Sequence, residues 1–215
     1  LLLEVLTPIA KSWPSEWCLE ANSLAIQVHG GYGYTRDFPV EQYWRDNRLN
    51  MIHEGTHGIQ AMDLLGRKVL QEQGRGLTLL AARVLATAHA ADARAAELGA
   101  LVGEPLRQQS LALRAAIQQV AEATRAAWAT GQPTEALANA VPYLQAFGHT
   151  VLAWLWLDVA LAVWRHDAML SVASSAGKIS ATTYFYHYEL PKIGAWLQVV
   201  ASRDATCAQM AEDAF

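Results

Sequence analysis

Apolar residues recur at helical spacing in nearly every stretch of this chain that lies between two breaker residues. Alternation typical of strands is much weaker, and the strong helix formers Ala, Leu, Glu, Gln and Arg fill the positions that packing does not dictate. The pattern therefore predicts an all-α helical bundle of about seven helices. The predicted breaks fall at Pro14, Gly30 to Pro39, Gly55, Gly74 to Gly76, Gly99 to Pro105, Gly131 to Pro133, and Ser174 to Gly177.

Three stretches carry more specific expectations. A helix is predicted to start near Thr134 and run to about Trp164, about 45 Å, as the spine of the second half. Within it, the apolar run from Val151 is interrupted by Asp158 and falls short of the roughly 20 residues that span a bilayer, which favours a buried core helix and no membrane span. Residues 81–100 are rich in alanine, which predicts close packing against a neighbour.

Composition narrows the class of protein. The 215 residues are 53% hydrophobic and 17% charged, as in a compact chain with a sizeable core. A net charge of −4 and the lack of a Lys/Arg cluster argue against a nucleic-acid partner. Cys18 and Cys207 have no metal-type spacing, so we expect two ordinary thiols and a reducing, cytoplasmic location. Because Leu1 begins in mid-pattern, we expect the interior of a longer polypeptide.

The run His53–His57 reads His-Glu-Gly-Thr-His and satisfies a zinc-protease pattern, which requires both histidines on one continuous helix. A different helix is predicted instead, starting at about Thr56, whose side chain can cap the first turn. Its apolar face comprises Ile59, Met62, Leu65 and Val69. His53 then lies outside the helix, so the sequence predicts no metal site, with a zinc hydrolase as an alternative.

The segment Gln27–Tyr34 ends a predicted helix in a glycine-rich loop. Its backbone amides could approach a phosphate or diphosphate closely, because glycine leaves the backbone uncovered. The alternative is a helix C-cap followed by a turn. The loop alone does not decide between these two interpretations.

Residues 27–60, QVHGGYGYTRDFPVEQYWRDNRLNMIHEGTHGIQ, resemble the C-terminal helical domain of the flavin-dependent acyl-CoA dehydrogenases. The matching positions are Gln27, Gly30, Gly31, Gly33, Tyr34, Pro39, Val40, Glu41, Arg45, Asp46, Glu54, Gly55 and Thr56. The tail GKISATTYFYHYELPKIGAW is similar to a larger-subunit branch that includes the 3-methylthiopropanoyl-CoA dehydrogenases. We therefore expect residues 1–73 to be the end of the C-terminal helical domain and residues 74–215 an additional C-terminal helical domain.

The resemblance implies an FAD-dependent enzyme that oxidises an acyl-CoA to a trans-2-enoyl-CoA. Glu54 would remove the α-proton while the β-hydrogen leaves as hydride to the flavin, and Glu54 and Gly55 would contact the substrate. Such a base works in a dry cleft, with hydrogen-bond donors on the thioester oxygen. Taken alone, Glu54 is also compatible with a helix N-terminal acid favoured by the macrodipole.

For the cofactor, the resemblance implies FAD contacts at Gln27, Gly30, Gly31 and Thr56, with Gln27 and Gly31 reaching a flavin held mainly by a neighbouring subunit. Relatives often have a polar side chain at the position of Gly58, which leaves only its backbone amide for such a contact. The resemblance thus implies a homodimer or homotetramer, an acyl-CoA substrate and an electron-transfer flavoprotein as electron acceptor.

Other candidates receive structural interpretations. Arg45 and Asp46 are read as a helix-borne ion pair, and the aromatic cluster Tyr184–Tyr188 as packing between helices. His29 lies beside the glycine loop and His53 beside Glu54, so either could line the cleft, although a lone histidine is more often a hydrogen-bonded polar side chain without a site role. An acyl-CoA oxidase and a non-catalytic helical assembly module are the alternatives. The resemblance also implies an N-terminal helical domain and a middle β-domain outside this sequence, so we expect the isolated chain to fold, to bind flavin weakly or not at all, and to be inactive.

Overall fold

The computed structural model describes residues 1–165 and 171–214, and within these ranges the chain is helical without a strand, which confirms the all-α prediction. The α-helical segments are α1 Leu2–His29, α2 Val40–Asn47, α3 His57–Asp63, α4 Gln71–Ala127, α5 Pro133–Leu137, α6 Ala140–Trp164, α7 Val172–Tyr184 and α8 Ile193–Ser202. Short 3-10 turns occupy Gly30–Tyr34, Arg48–Met51, Leu190–Lys192 and Glu212–Ala214, and π-helical turns occupy Leu64–Lys68 and Phe185–Glu189.

Helix α4 folds back on itself at Gly99, where φ is +81° and the helical path is broken. The arms 75–98 and 100–127 run antiparallel, because the hydroxyl of Ser110 donates to the carbonyl of Ala88 at 2.9 Å and Arg114 pairs with Asp92. Gly103 lies against the backbone of Ala95 so closely that a Cβ atom would overlap it. Small residues therefore let the arms approach, which confirms the close packing predicted for residues 81–100.

Helix α6 lies at the centre of the core and packs against α1, α3, α4, α7 and α8. It is long and apolar enough to cross a membrane by length and composition, and 56% of its most apolar window is buried inside the fold. Tyr143 and Phe147 are fully buried on it, as a core helix requires. Burial also raises the pKa of the Tyr143 hydroxyl, which contacts Thr124 Oγ1 at 2.6 Å.

The predicted rod from Thr134 to Trp164 is wrong in its continuity. The chain leaves helical geometry at Asn139, with φ −118° and ψ 36°, so that α5 is a separate short helix. At 25 residues, α6 is about 37 Å long. It is nevertheless the central helix, as expected.

Two predicted breaks are also wrong. α1 continues through Pro14, because Val5, Ile9 and Ser15 are buried and tertiary packing holds the helix despite the missing amide. Residues 174–177 lie inside α7, which begins after Ser171, whose hydroxyl accepts from the amide of Ser174.

The breaks at Gly30, Gly55, Gly74, Gly99 and Gly131 are confirmed, since each of these glycines has a positive φ. The division of the chain at residue 74 stays a prediction.

Candidate functional site

The candidate catalytic base, Glu54, lies in the loop between the 3-10 turn Arg48–Met51 and α3. Its backbone lies in the left-handed region with φ +57°, which few residues other than glycine adopt. Gly55 follows with φ +93°, and Thr56 returns to extended backbone before α3 begins. The Glu54 side chain is exposed, so within the described chain it lies at a surface and not in the dry cleft that a base requires.

Side chains from two helices hold the backbone of this loop. Gln60, in α3, donates to the Glu54 carbonyl at 2.9 Å. Lys11, in α1, donates to the carbonyls of Asn50 and Gly55, each at 2.9 Å. The Glu54 amide makes no hydrogen bond within residues 1–165 and 171–214, so this donor is available.

Thr56 is the N-cap residue of α3, as predicted, but the expected capping bond from its side chain is not made. Its carbonyl accepts from the Gln60 amide at 3.0 Å, as in a first helical turn. Thr56 is exposed, and in the described part of the chain its hydroxyl has no hydrogen-bond partner. A Cβ atom at Gly58 would meet nothing within 4 Å, so the backbone there is open to approach.

The apolar face predicted for this helix is only partly buried. Leu65 and Val69 are buried, while Ile59 and Met62 are exposed.

The two histidines of the zinc pattern lie on different elements, as predicted. His53 is exposed in the loop, with Nδ1 3.0 Å from the Leu49 carbonyl. His57 is the first residue of α3, and its Nε2 lies 3.7 Å from Glu16 Oε2. Burial lowers the pKa of His57, the Glu16 carboxylate opposes that shift, and Lys11 and Arg48 add to it. Among the residues described, no group of three or more His, Cys, Asp or Glu side chains could hold a metal.

The glycine loop begins where α1 ends. Gly30 has φ +61° and its amide donates to the Gln27 carbonyl, which is a helix-end role. A Cβ atom at Gly33 would lie 2.6 Å from the Ile26 carbonyl oxygen, so this position needs glycine for packing. At Gly31 a Cβ would meet nothing within 4 Å, and the Gln27 side chain is exposed. His29 is exposed beside this loop, with Nδ1 2.9 Å from the Ala25 carbonyl.

These observations fit a cofactor that approaches the backbone at two places. Gly30, Gly31 and Gly58 leave open space around their Cα atoms, while Gln27 and Thr56 present exposed polar side chains. No hydrogen bond joins the segments 27–34 and 53–58 within the described part of the chain. The structure thus brings Glu54, Gly55, Thr56 and Gly58 together as neighbours in one loop and the start of α3, and it leaves Gln27, Gly30 and Gly31 as a separate group.

The predicted ion pair between Arg45 and Asp46 is wrong. Arg45 pairs with Glu41 at 3.7 Å, one turn earlier, and Asp46 accepts from Gln42 at 3.5 Å. Adjacent residues of a helix point in different directions, so they do not form an ion pair with each other.

In the aromatic cluster, Phe185 and Tyr186 are buried as predicted. Tyr184 and Tyr188 are exposed and stack on each other, with their ring centroids 4.9 Å apart.

Lys11 and Gln60 were not identified from the sequence, although both touch the candidate loop. Lys11 is separated from Gly55 by 44 residues, so no local spacing signals the contact. Gln60 lies six residues after Glu54 and bonds backwards across the loop, which no helix-spacing rule anticipates.

The chain is similar to proteins of known family over most of its length. A family model described as "Acyl-CoA dehydrogenase, C-terminal domain" matches residues 3–70, and one described as "Acetyl-CoA dehydrogenase C-terminal like" matches residues 80–211. The 3-methylmercaptopropionyl-CoA dehydrogenase of Ruegeria pomeroyi is 37% identical over 190 residues, which cover 84% of this chain and 29% of that relative.

Two further relatives differ in how much of the chain they match. The broad-specificity linear acyl-CoA dehydrogenase of Mycobacterium tuberculosis is 24% identical over 221 residues, 99% of this chain and 35% of that relative. The caffeyl-CoA reductase-Etf complex subunit CarC of Acetobacterium woodii is 45% identical over 58 residues, 27% of this chain and 15% of that relative. The chain therefore spans about a third or less of the length of these relatives.

Proposed function

The chain belongs to the acyl-CoA dehydrogenase family, and on that basis we propose that it forms the C-terminal helical part of an FAD-dependent acyl-CoA dehydrogenase. The proposed reaction is oxidation of an acyl-CoA to a trans-2-enoyl-CoA. One observation supports it most: the loop holds Glu54 in a left-handed conformation whose backbone amide is uncommitted among the described residues. A carboxylate and an amide donor on the same residue suit proton removal next to a thioester carbonyl.

In the proposed mechanism the Glu54 carboxylate takes the α-proton of the acyl-CoA. The Glu54 amide donates to the thioester oxygen, where negative charge develops, and so stabilises the transition state. Gly55 lets the chain turn between Glu54 and Thr56 and contacts the substrate. The flavin, when bound, supplies the acceptor for the β-hydride.

The proposed cofactor contacts follow the open positions of the backbone. Thr56 and Gly58 lie beside the base, where an exposed hydroxyl and an uncovered peptide suit a polar ligand. Gln27, Gly30 and Gly31 form the second group, and we assign them to the FAD bound by a neighbouring subunit of a homodimer or homotetramer. This assignment follows the family resemblance, and no hydrogen bond links the two groups in the described chain.

Exposed apolar side chains around both groups support coverage by further protein. They include Val28, Tyr32, Tyr34, Leu49, Ile52 and Ile59, each at least half exposed. Since the chain spans 29% of the relative from Ruegeria pomeroyi, the rest of such an enzyme and a second subunit are available to cover them. That cover would also exclude water from Glu54.

An electron-transfer flavoprotein is the proposed electron acceptor. One relative of this chain is a subunit of a reductase-Etf complex by its own description. We further propose a cytoplasmic location, which is supported by the free and exposed thiols of Cys18 and Cys207, as expected in a reducing compartment.

The test uses the full-length holoenzyme and its Glu54→Gln variant, with Glu122→Gln as a control at another exposed carboxylate. Saturated acyl-CoAs of short, long and methylthio-substituted chains are added anaerobically and bleaching of the flavin band is followed. We expect Glu54→Gln to lower the bleaching rate by about 10²–10⁴-fold and Glu122→Gln to leave it unchanged. Full activity of Glu54→Gln would reject the assignment and favour an assembly module. Hydrogen peroxide formed at the rate of substrate turnover on admission of air would identify an oxidase, because the reduced flavin of a dehydrogenase reacts only slowly with oxygen.

A further inference from the structure

Lys11 ties together the two ends of the loop that carries Glu54. Its ammonium group donates to the carbonyl of Asn50, at the end of the 3-10 turn, and to that of Gly55, directly after Glu54. Both distances are 2.9 Å, and bonds from a charged donor are stronger than neutral ones. A single side chain on α1 therefore closes residues 50–55 into a ring.

The conformation inside this ring requires external support. Glu54 is a non-glycine residue in the left-handed region, and the strain of that conformation persists where surrounding contacts over-determine it. Gln60 fixes the carbonyl of Glu54, and Lys11 fixes the carbonyl of Gly55. Two consecutive peptide groups are thus held by side chains from two different helices, which sets where the Glu54 side chain leaves the backbone.

We propose that Lys11 is the positioning residue for Glu54, a role that rests on the function proposed above. Lys11 acts through the backbone of the loop, and no ion pair joins its ammonium group to the Glu54 carboxylate among the described side chains. Without Lys11 the peptide between Gly55 and Thr56 loses the bond that fixes it, and only Gln60 still holds the loop next to Glu54. The carboxylate then spends less time within reach of the α-carbon, and the rate of proton removal falls.

Helix α1 is itself held against α6 by side-chain hydrogen bonds, so the position of Lys11 is fixed relative to the core. The indole nitrogen of Trp13 donates to Nδ1 of His149 at 3.0 Å, and Trp17 donates to Oε1 of Gln145 at 3.3 Å. Gln145 donates in turn to the Glu16 carboxylate. A helix in the C-terminal part of the chain therefore fixes the register of α1, which carries Lys11 to the loop.

The experiment compares the full-length Lys11→Met, Lys11→Arg and Lys178→Met holoenzymes. Lys178 is an exposed lysine on α7 and serves as the matched control. The measurements are the anaerobic rate of flavin bleaching, the acyl-CoA dissociation constant, the kinetic isotope effect with α-deuterated substrate, and the melting temperature. We expect Lys11→Met to lower the bleaching rate by about 10–100-fold, since small displacements of a reacting group can cost that much.

Acyl-CoA binding by Lys11→Met should change little, and its α-deuterium isotope effect should increase because proton removal becomes slower. Lys11→Arg should recover part of the rate, since a guanidinium can also donate to two carbonyls. Lys178→Met should match the wild type. A wild-type bleaching rate for Lys11→Met, or a loss fully explained by reduced flavin content, would overturn the inference.

If Lys11→Met fails to fold, Gln60→Met decides instead. Gln60→Met removes the other bond that holds the loop and should reproduce the slower bleaching with unchanged acyl-CoA binding; a wild-type bleaching rate for Gln60→Met would overturn the inference, because Glu54 would then be placed without the support that the inference requires. Glu54→Gln in the same series separates the two proposals. An active Glu54→Gln enzyme rejects the proposed base, whereas an inactive Glu54→Gln beside a wild-type Lys11→Met rejects only the positioning role.

Discussion

The indole N–H of Trp13 donates to Nδ1 of His149 at 3.0 Å, which fixes the neutral form of a fully buried imidazole. The indole can only donate, so Nδ1 must accept, and the ring proton lies on Nε2, 3.6 Å from Glu189 Oε2. Protonation of His149 would put a hydrogen on Nδ1, where it would face the N–H of the Trp13 indole. The Gln145 carbonyl, 3.0 Å from Nδ1, would take that proton only at the cost of the indole bond.

This arrangement predicts loss of stability at mildly acid pH. Burial lowers the pKa of His149, the Gln145 carbonyl and Glu189 oppose that shift, and Lys192 adds to it. The unfolded chain therefore takes up a proton at about pH 6.5, before the folded chain does. Stability is complete above that pH and falls below it, by up to about 1.4 kcal/mol per pH unit and per histidine. The lowered pKa of His57 acts in the same direction.

Denaturant unfolding of His149→Gln at pH 7 and pH 5 checks the prediction. The variant keeps an acceptor for Trp13 but cannot titrate, so its unfolding free energy should vary less with pH than that of the parent chain. A pH dependence equal to the parent's would assign the effect to other groups.

Gly55→Ala should impair turnover more than it impairs folding. Gly55 has φ +93°, and a Cβ atom would lie 2.9 Å from Nε2 of Gln60, the donor that holds Glu54. We expect flavin bleaching by acyl-CoA to slow by at least about 10-fold in the full-length enzyme. Gly131→Ala is the matched control, because Gly131 also has a positive φ, +69°, but has open space around it and lies outside the site. Equal loss of bleaching rate in both variants would mean that strain alone is responsible.

Gly103→Ala should destabilise the whole helical fold. The added Cβ would overlap the backbone of Ala95 in the opposite arm of α4, and backbone cannot move aside as a flexible side chain does. We expect the unfolding free energy to fall by about 1–3 kcal/mol, the usual effect of overpacking. Gly177→Ala on α7 has open space and should be neutral or gain about 0.5–1 kcal/mol from helix propensity. Comparable melting temperatures for the two variants would contradict this account of the hairpin.

Local sequence signals predicted the helices well wherever a single residue controls the backbone. Gly99 breaks the helical path of α4 and Gly131 lies in the turn between α4 and α5, both with positive φ, and Thr56 marks the start of α3. The predicted helix breaks are wrong where tertiary packing overrides the preference of a residue, or where a predicted break falls inside a helix that a nearby capping residue starts. Pro14 stays inside α1 because that helix is packed on the core, and α7 begins at the Ser171 cap rather than ending near Gly177.

The candidate site was predictable only as far as its motif is continuous in sequence. Glu54, Gly55 and Thr56 are adjacent, so the spacing places them together. The contact that shapes their loop comes from Lys11, which lies 44 residues before Gly55. The helix that carries Lys11 is held in turn by the bond from Trp13 to His149, which lies 136 residues after Trp13. Such long-range pairs depend on how α1 lies against α6, and hydrophobic periodicity indicates only which face of a helix is buried.

The chain of residues 1–215, produced alone, should fold but remain without flavin and without activity. Its core is large and continuous, since Val5, Leu80, Leu113 and Phe147 are fully or almost fully buried together. The proposed cofactor and substrate positions, in contrast, are exposed: Glu54, Gln27, Gly31 and Thr56 all lie at the surface. We expect a helical circular-dichroism spectrum with a cooperative melt, and no flavin absorbance after gel filtration with excess FAD. A stoichiometric yellow complex would mean that these exposed residues suffice to hold the cofactor, and that neither a second subunit nor further chain is needed.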